Sequence, residues 1–113
     1  LVLASSASML TINNVFTKFD LDQYFIAKLS GADLKASKPH PEIFIKAAEA
    51  SGFNRTECLV IEDSTSGIKA AFDAGIYCVG YDSLNSKNQN YSLANKVVSN
   101  FNEIPFEKVK DLV

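Results

Sequence analysis

The chain has 113 residues, 47% of them hydrophobic and 21% charged, with a net charge of -2. That length holds a single core, the composition is globular rather than disordered or fibrous, and the eleven Lys and Arg are scattered, which excludes the basic patch a nucleic-acid backbone demands. The longest apolar runs, such as residues 58–61, fall far short of the roughly 18 residues that cross a bilayer, and no charged, apolar signal segment leads the sequence. Cys58 and Cys78 lie in apolar runs with no His or Cys beside them, so they are read as reduced core thiols of a cytoplasmic protein rather than as metal ligands.

The first strand is read at residues 1–4, ending at Ser5 and Ser6. Because Leu1-Val2-Leu3-Ala4 opens directly on a buried-strand pattern, without Met or a polar lead-in, the natural protein is expected to begin upstream. A helix follows over 7–19 with Leu10, Val15, Phe16 and Phe19 as its apolar face, and residues 25–29 form a second strand. The clearest helix is 41–51, where Pro41 suits the first helical position, Phe44, Ala47 and Ala48 form a stripe, and Gly52 ends it. Residues 58–61 make a third strand, 62–67 a turn, and 66–74 a helix stopped by Gly75. A fourth strand at 77–81 precedes an Asn- and Ser-rich stretch, 82–95, read as a solvated loop with a helical turn near 91–94. A short edge strand at 96–98 and a helix at 106–112 complete the chain. Strand-helix alternation without repeat or linker predicts one α/β unit over residues 1–113, built on a parallel sheet.

Open α/β sheets bind ligands outside the carboxyl ends of their strands. Three polar groups fall there: Ser5 and Ser6 after the first strand, Lys38 in the turn Ser37-Lys38-Pro39-His40-Pro41, and Glu62-Asp63 after the third strand. Hydroxyls and the backbone N–H groups of a helix start donate to phosphate oxygens. A lysine neutralises phosphoryl charge, and carboxylates suit Mg2+, which keeps several waters and takes one or two carboxylates plus a phosphate oxygen. Singly, each has a plainer reading: Ser5-Ser6 as a helix cap, Lys38 as a surface residue held in a proline-stiffened turn, Glu62-Asp63 as a solvated helix start. Their order and shared placement favour a site. His40, the one histidine, has a proline on each side and no metal-binding neighbour, and is read as structural.

Leu3-Ala4-Ser5-Ser6, then Ser37-Lys38-Pro39-His40-Pro41-Glu42-Ile43-Phe44, then Val60-Ile61-Glu62-Asp63-Ser64-Thr65-Ser66-Gly67-Ile68-Lys69-Ala70-Ala71 resemble, in order and spacing, the second, third and fourth motifs of the haloacid dehalogenase superfamily. The likeness is nearest to its β-phosphoglucomutase-like branch, which also holds sugar-phosphate phosphatases. It implies a three-layer, Rossmann-like parallel sheet and Mg2+-dependent phosphoryl transfer through an aspartyl-phosphate, on a small phosphorylated metabolite. By this resemblance Ser5 and Ser6 bind the phosphoryl group, Lys38 binds it and stabilises its charge and that of the nucleophile, Glu62 and Asp63 hold Mg2+, Asp63 most securely, and Ser64 supports their loop.

The family's first motif, a buried strand ending in Asp-x-Asp, has no counterpart here. Asp20-Leu21-Asp22 has the spacing but follows an amphipathic helix, so it is read as a solvated turn. The helical cap domain is likewise missing, so the sheet is expected to be incomplete. The resemblance places the absent strand between those ending at Ser5 and Ile61, leaving two unpaired edges for an upstream segment, a homodimer or a strand swap to fill. Two further readings stay open: a non-catalytic module that binds phosphate or a partner, and a receiver-like domain, which the Lys38-Pro39 turn fits poorly.

Overall fold

Aliphatic runs of four or five residues are too short for helices and pair instead as parallel strands buried under helices. The computed structural model describes residues 1–113 and orders them as β1 (Val2–Ser5), α1 (Met9–Phe19), β2 (Ala27–Ser30), α2 (Glu42–Ser51), β3 (Leu59–Glu62), α3 (Thr65–Ala74), β4 (Tyr77–Tyr81), β5 (Lys96–Val98) and a short α4 (Phe106–Val109). β1 and β2 pair in parallel with Ser5 opposite Ser30. β3 pairs in parallel with β4, Glu62 opposite Gly80, and β4 with β5. These are two separate sheets, β1-β2 and β3-β4-β5. β1 and β3 face each other across a cleft and are not bonded together; the incomplete sheet that the resemblance implies is thus present.

α2 lies over the smaller sheet and α3 over the larger one, and the two helices pack side by side. Ile43, Phe44 and Ala48 of α2 pack with Ile68, Ala70, Ala71 and Ala74 of α3 over Val60 and Cys78, and Ala4 and Leu29 of the smaller sheet close the edge of this core. The alanines have little bulk, which lets α3 lie close to the strands beneath. On the opposite face Val79, Val98 and Ile104 form a second cluster. Successive residues Cys78 and Val79 therefore enter different cores, as the period of a strand demands.

Several boundaries differ from expectation. Polar residues complete both site-facing strands, β1 to Ser5 and β3 to Glu62. Pro41 occupies the capping position of α2, its carbonyl accepting from Phe44 and Ile45 N–H. α1 buries Ile12 and Phe16, whereas Leu10 and Phe19 are 72% and 61% exposed and Val15 is exposed as well. The cause is a narrow support: α1 lies on a two-stranded sheet, where Phe16 meets the Phe25 ring at 5.0 Å and the Lys28 ammonium at 4.8 Å, leaving no surface for a wider stripe. The last helix ends at Val109 and continues only as a turn. Cys58 precedes β3 and is half-buried, 3.7 Å from the Ser51 hydroxyl, while Cys78 is fully buried.

Burial, reinforced by the negative charge of Glu62, pushes the Cys78 thiol up from 9.0 to about 12. The folded state thus keeps its proton where the unfolded chain would lose it. The contribution of Cys78 to stability is whole below pH 9 and is lost as pH rises from 9.0 towards about 12, with a slope of up to about 1.4 kcal/mol per pH unit. Urea unfolding of the wild type and of Cys78→Ala across that window should show a flatter decline in the variant; identical slopes would remove Cys78 as the cause.

Candidate active site

Parallel strands deliver their last residues to one edge of the fold. At the end of β1, Ser5 is half-buried and its Oγ accepts the Ala7 N–H at 3.1 Å, so its hydroxyl proton is left to donate elsewhere. Ser6 beside it is exposed. Neither caps the helix. Ser8 does, its Oγ accepting from Thr11 N at 3.2 Å, because α1 starts at Met9, two residues later than expected. Residues 5–7 are pinned from β2 instead. Ser30, 3% exposed, donates to the Ala7 carbonyl at 2.6 Å and accepts from Ala32 N at 3.2 Å. A Cβ on the adjacent Gly31 would stand 3.4 Å from Ser6 Cα.

Lys38 lies in a tight turn closed by His40 N donating to the Ser37 carbonyl at 2.9 Å, with a cis bond to Pro39. Its ammonium sits 2.8 Å from Glu62 Oε2 and 5.0 Å from the centre of the Phe44 ring. Both members of the ion pair are only 11% exposed, so their mutual attraction is little screened. His40 is structural, as read: its Nδ1 accepts from Glu42 N at 3.1 Å at the start of α2.

Glu62, the last residue of β3, is heavily engaged. Its Oε1 accepts from Ser64 Oγ at 3.0 Å, Asp63 N at 3.1 Å and Ser64 N at 3.3 Å, while Oε2 takes Lys38. Ser64 also caps α3 by accepting from Gly67 N at 3.0 Å. The two carboxylates expected to share a metal therefore differ. Asp63 is exposed and engaged only by the Ser86 hydroxyl at 3.3 Å, leaving most of its acceptor capacity open. Nowhere do three His, Cys, Asp or Glu side chains converge. One open carboxylate fits Mg2+, a cation that takes few protein ligands and completes its shell with water and phosphate oxygens.

Ser5, Ser6, Lys38, Glu62 and Asp63 all line one cleft of about 420 Å³ between β1 and β3, floored by apolar atoms of Leu3, Ala4 and Ile61. Asp20 and Asp22 are elsewhere. Asp20 ends α1 in a left-handed conformation, φ 54°, and Asp22 pairs with Lys28 at 2.9 Å, both before β2 and thus at the opposite edge of its sheet. The loop over 82–95, read as solvated, is tied to the site. Gln89 Oε1 accepts from Thr65 N and Oγ1 at 2.7 and 2.9 Å, and Ser86 reaches Asp63. Ser30, Gly31, Ser86 and Gln89 were not legible as site-supporting residues; only Gly67, a glycine inside a helix, carried a signal.

Residues 1–81 match the family described as haloacid dehalogenase-like hydrolase. A haloacid dehalogenase-like hydrolase domain-containing protein of Arabidopsis thaliana is 39% identical over 84 residues, covering 74% of this chain and 26% of that protein. Hexitol phosphatase B of Escherichia coli O157:H7 is 31% identical over 112 residues, 98% of this chain and 49% of the phosphatase. The crystal structure of a β-phosphoglucomutase from Clostridium difficile superimposes with a TM-score of 0.81 at 30% identity, covering 98% of this chain and 47% of the mutase. The chain thus spans half or less of the length of these relatives.

Proposed function

The chain belongs to the haloacid dehalogenase-like hydrolase family, and from that premise we propose that it forms the phosphate- and metal-binding half of a Mg2+-dependent phosphoryl-transfer site for a small phosphorylated metabolite, a sugar phosphate. The observation that carries this reading is the convergence of two serines, a shielded lysine and one open carboxylate on a single cleft. The Ser5 hydroxyl and the loop at Ser6 donate to the phosphoryl oxygens. Lys38 neutralises charge on the group in transfer, acting from a site where that charge is poorly screened by water. Asp63 would hold Mg2+, which supplies charge neutralisation and orientation between phosphate and attacking group. Glu62 would act mainly by fixing Lys38 and the Asp63 loop.

The attacking carboxylate would enter on a strand between β1 and β3, from an upstream part of the same protein or from a second copy exchanging that strand. Phosphate release from a panel of sugar phosphates with Mg2+ tests the assignment, comparing the full-length protein with residues 1–113 alone. Turnover is expected of the full-length protein and none of the isolated stretch. Mg2+-dependent hydrolysis by residues 1–113 would overturn the division of the site.

A further inference from the structure

Glycine is a poorer helix former than alanine, so a buried one within a helix has a packing cause to be found. Gly67 sits in the first turn of α3 and is buried. A methyl group at that position would lie inside the van der Waals surface of Glu62, overlapping its Cγ, Cδ and Oε2. The Glu62 side chain therefore occupies the space that any other residue at 67 would claim. That placement lets Oε1 collect the donors of Asp63 and Ser64 while Oε2 faces the Lys38 ammonium at 2.8 Å.

We infer that Gly67 is a positioning residue for Lys38, acting through Glu62: the absence of a side chain on α3 sets where the carboxylate stands, and the carboxylate sets where the ammonium stands. The inference rests on the phosphoryl-transfer reading for its functional meaning but not for its geometry. A lysine held by this pair is withdrawn from solvent, and loss of a hydrogen bond between charged partners frees it by about tenfold in an equilibrium.

The test is a double-mutant cycle of Gly67→Ala and Glu62→Ala in the full-length protein, read by the acylation rate of individual lysines after proteolysis and mass spectrometry. Lys69, on the same helix and paired with Asp73 at 2.6 Å, reports any general loosening of α3. Gly67→Ala should raise Lys38 labelling about tenfold and leave Lys69 unchanged. Once Glu62→Ala has freed Lys38, adding Gly67→Ala should change neither lysine. An unchanged Lys38 rate, a parallel rise at Lys69, or an undiminished effect in the Glu62→Ala background would overturn the inference. Should Gly67→Ala not fold by itself, recovery of folded protein in the double variant supports the overlap, and its failure to fold refutes it. If labelling responds as expected while Lys38→Met keeps full turnover, the positioning role stands and the catalytic reading falls.

Discussion

Replacing Lys38 by methionine in the full-length protein is expected to lower kcat and kcat/KM together by about 10²–10³-fold, the usual cost of removing one preorganised charge from a transition state. Methionine keeps most of the aliphatic stem and removes the ammonium, which stands 5.0 Å from the centre of the Phe44 ring, so the loss reports charge rather than bulk. Arginine should not restore activity: its planar fork is larger than a site that leaves Lys38 11% exposed, and it spreads its charge. The variant also leaves Glu62 Oε2 without its cation, at a cost of about 2 kcal/mol for a shielded charged group that loses one partner. Steady-state kinetics with a sugar phosphate and urea unfolding measure the two effects. Wild-type kcat in Lys38→Met would refute the role of the lysine.

Asp63→Asn should reduce Mg2+-dependent turnover about 100-fold or more and weaken the apparent Mg2+ affinity. Asparagine preserves size and can still accept from the Ser86 hydroxyl, so the melting temperature should stay near that of the wild type. Chelation of Mg2+ should bring the wild type down to the level of the variant. A Mg2+ titration of initial rates decides the matter: an unshifted curve for Asp63→Asn would show that the open carboxylate does not hold the metal. Glu62, whose oxygens already serve Lys38 and Ser64, would on the proposed reading act by fixing this site's geometry.

Much of this was legible in the sequence because aliphatic runs, prolines and glycines act locally. β4 and β5 fall at 77–81 and 96–98, where apolar residues mark them. β1 and β3 run on to Ser5 and Glu62 because the backbone ladder is indifferent to side-chain polarity, whereas apolar counting stops at the first polar residue. The α1 face failed for another reason. A helical pattern gives the period of burial, not the width of the surface beneath, and a two-stranded sheet buries only Ile12 and Phe16. Ser5, Ser6 and Ser8 are chemically equivalent in sequence, so which of them caps α1 depends on where the helix starts. The family resemblance already ranks Asp63 above Glu62 as a metal ligand, but the residues alone give no physical reason for the difference. The reason appears only once Lys38, 24 residues away in sequence, claims Glu62. The loop over 82–95 is largely exposed and turns at 91–94, as read; its ties to the site escape sequence because Asn, Ser and Gln bond equally well to water and to a helix start such as that of α3.

Because no backbone hydrogen bond joins the two sheets, the spacing between Ser5 on one and Asp63 on the other is governed by side-chain packing around α2. Sliding one sheet against the other breaks no ladder, only side-chain contacts: those of Ile43, Phe44 and Ala48 with their neighbours and the Lys38–Glu62 ion pair. The cleft is therefore a seam between two sheets that side chains alone hold together. A strand bonded to both edges would act as a splint, turning a distance held by side-chain contacts into one fixed by backbone geometry. Catalytic precision would then arrive in the same step as the attacking group.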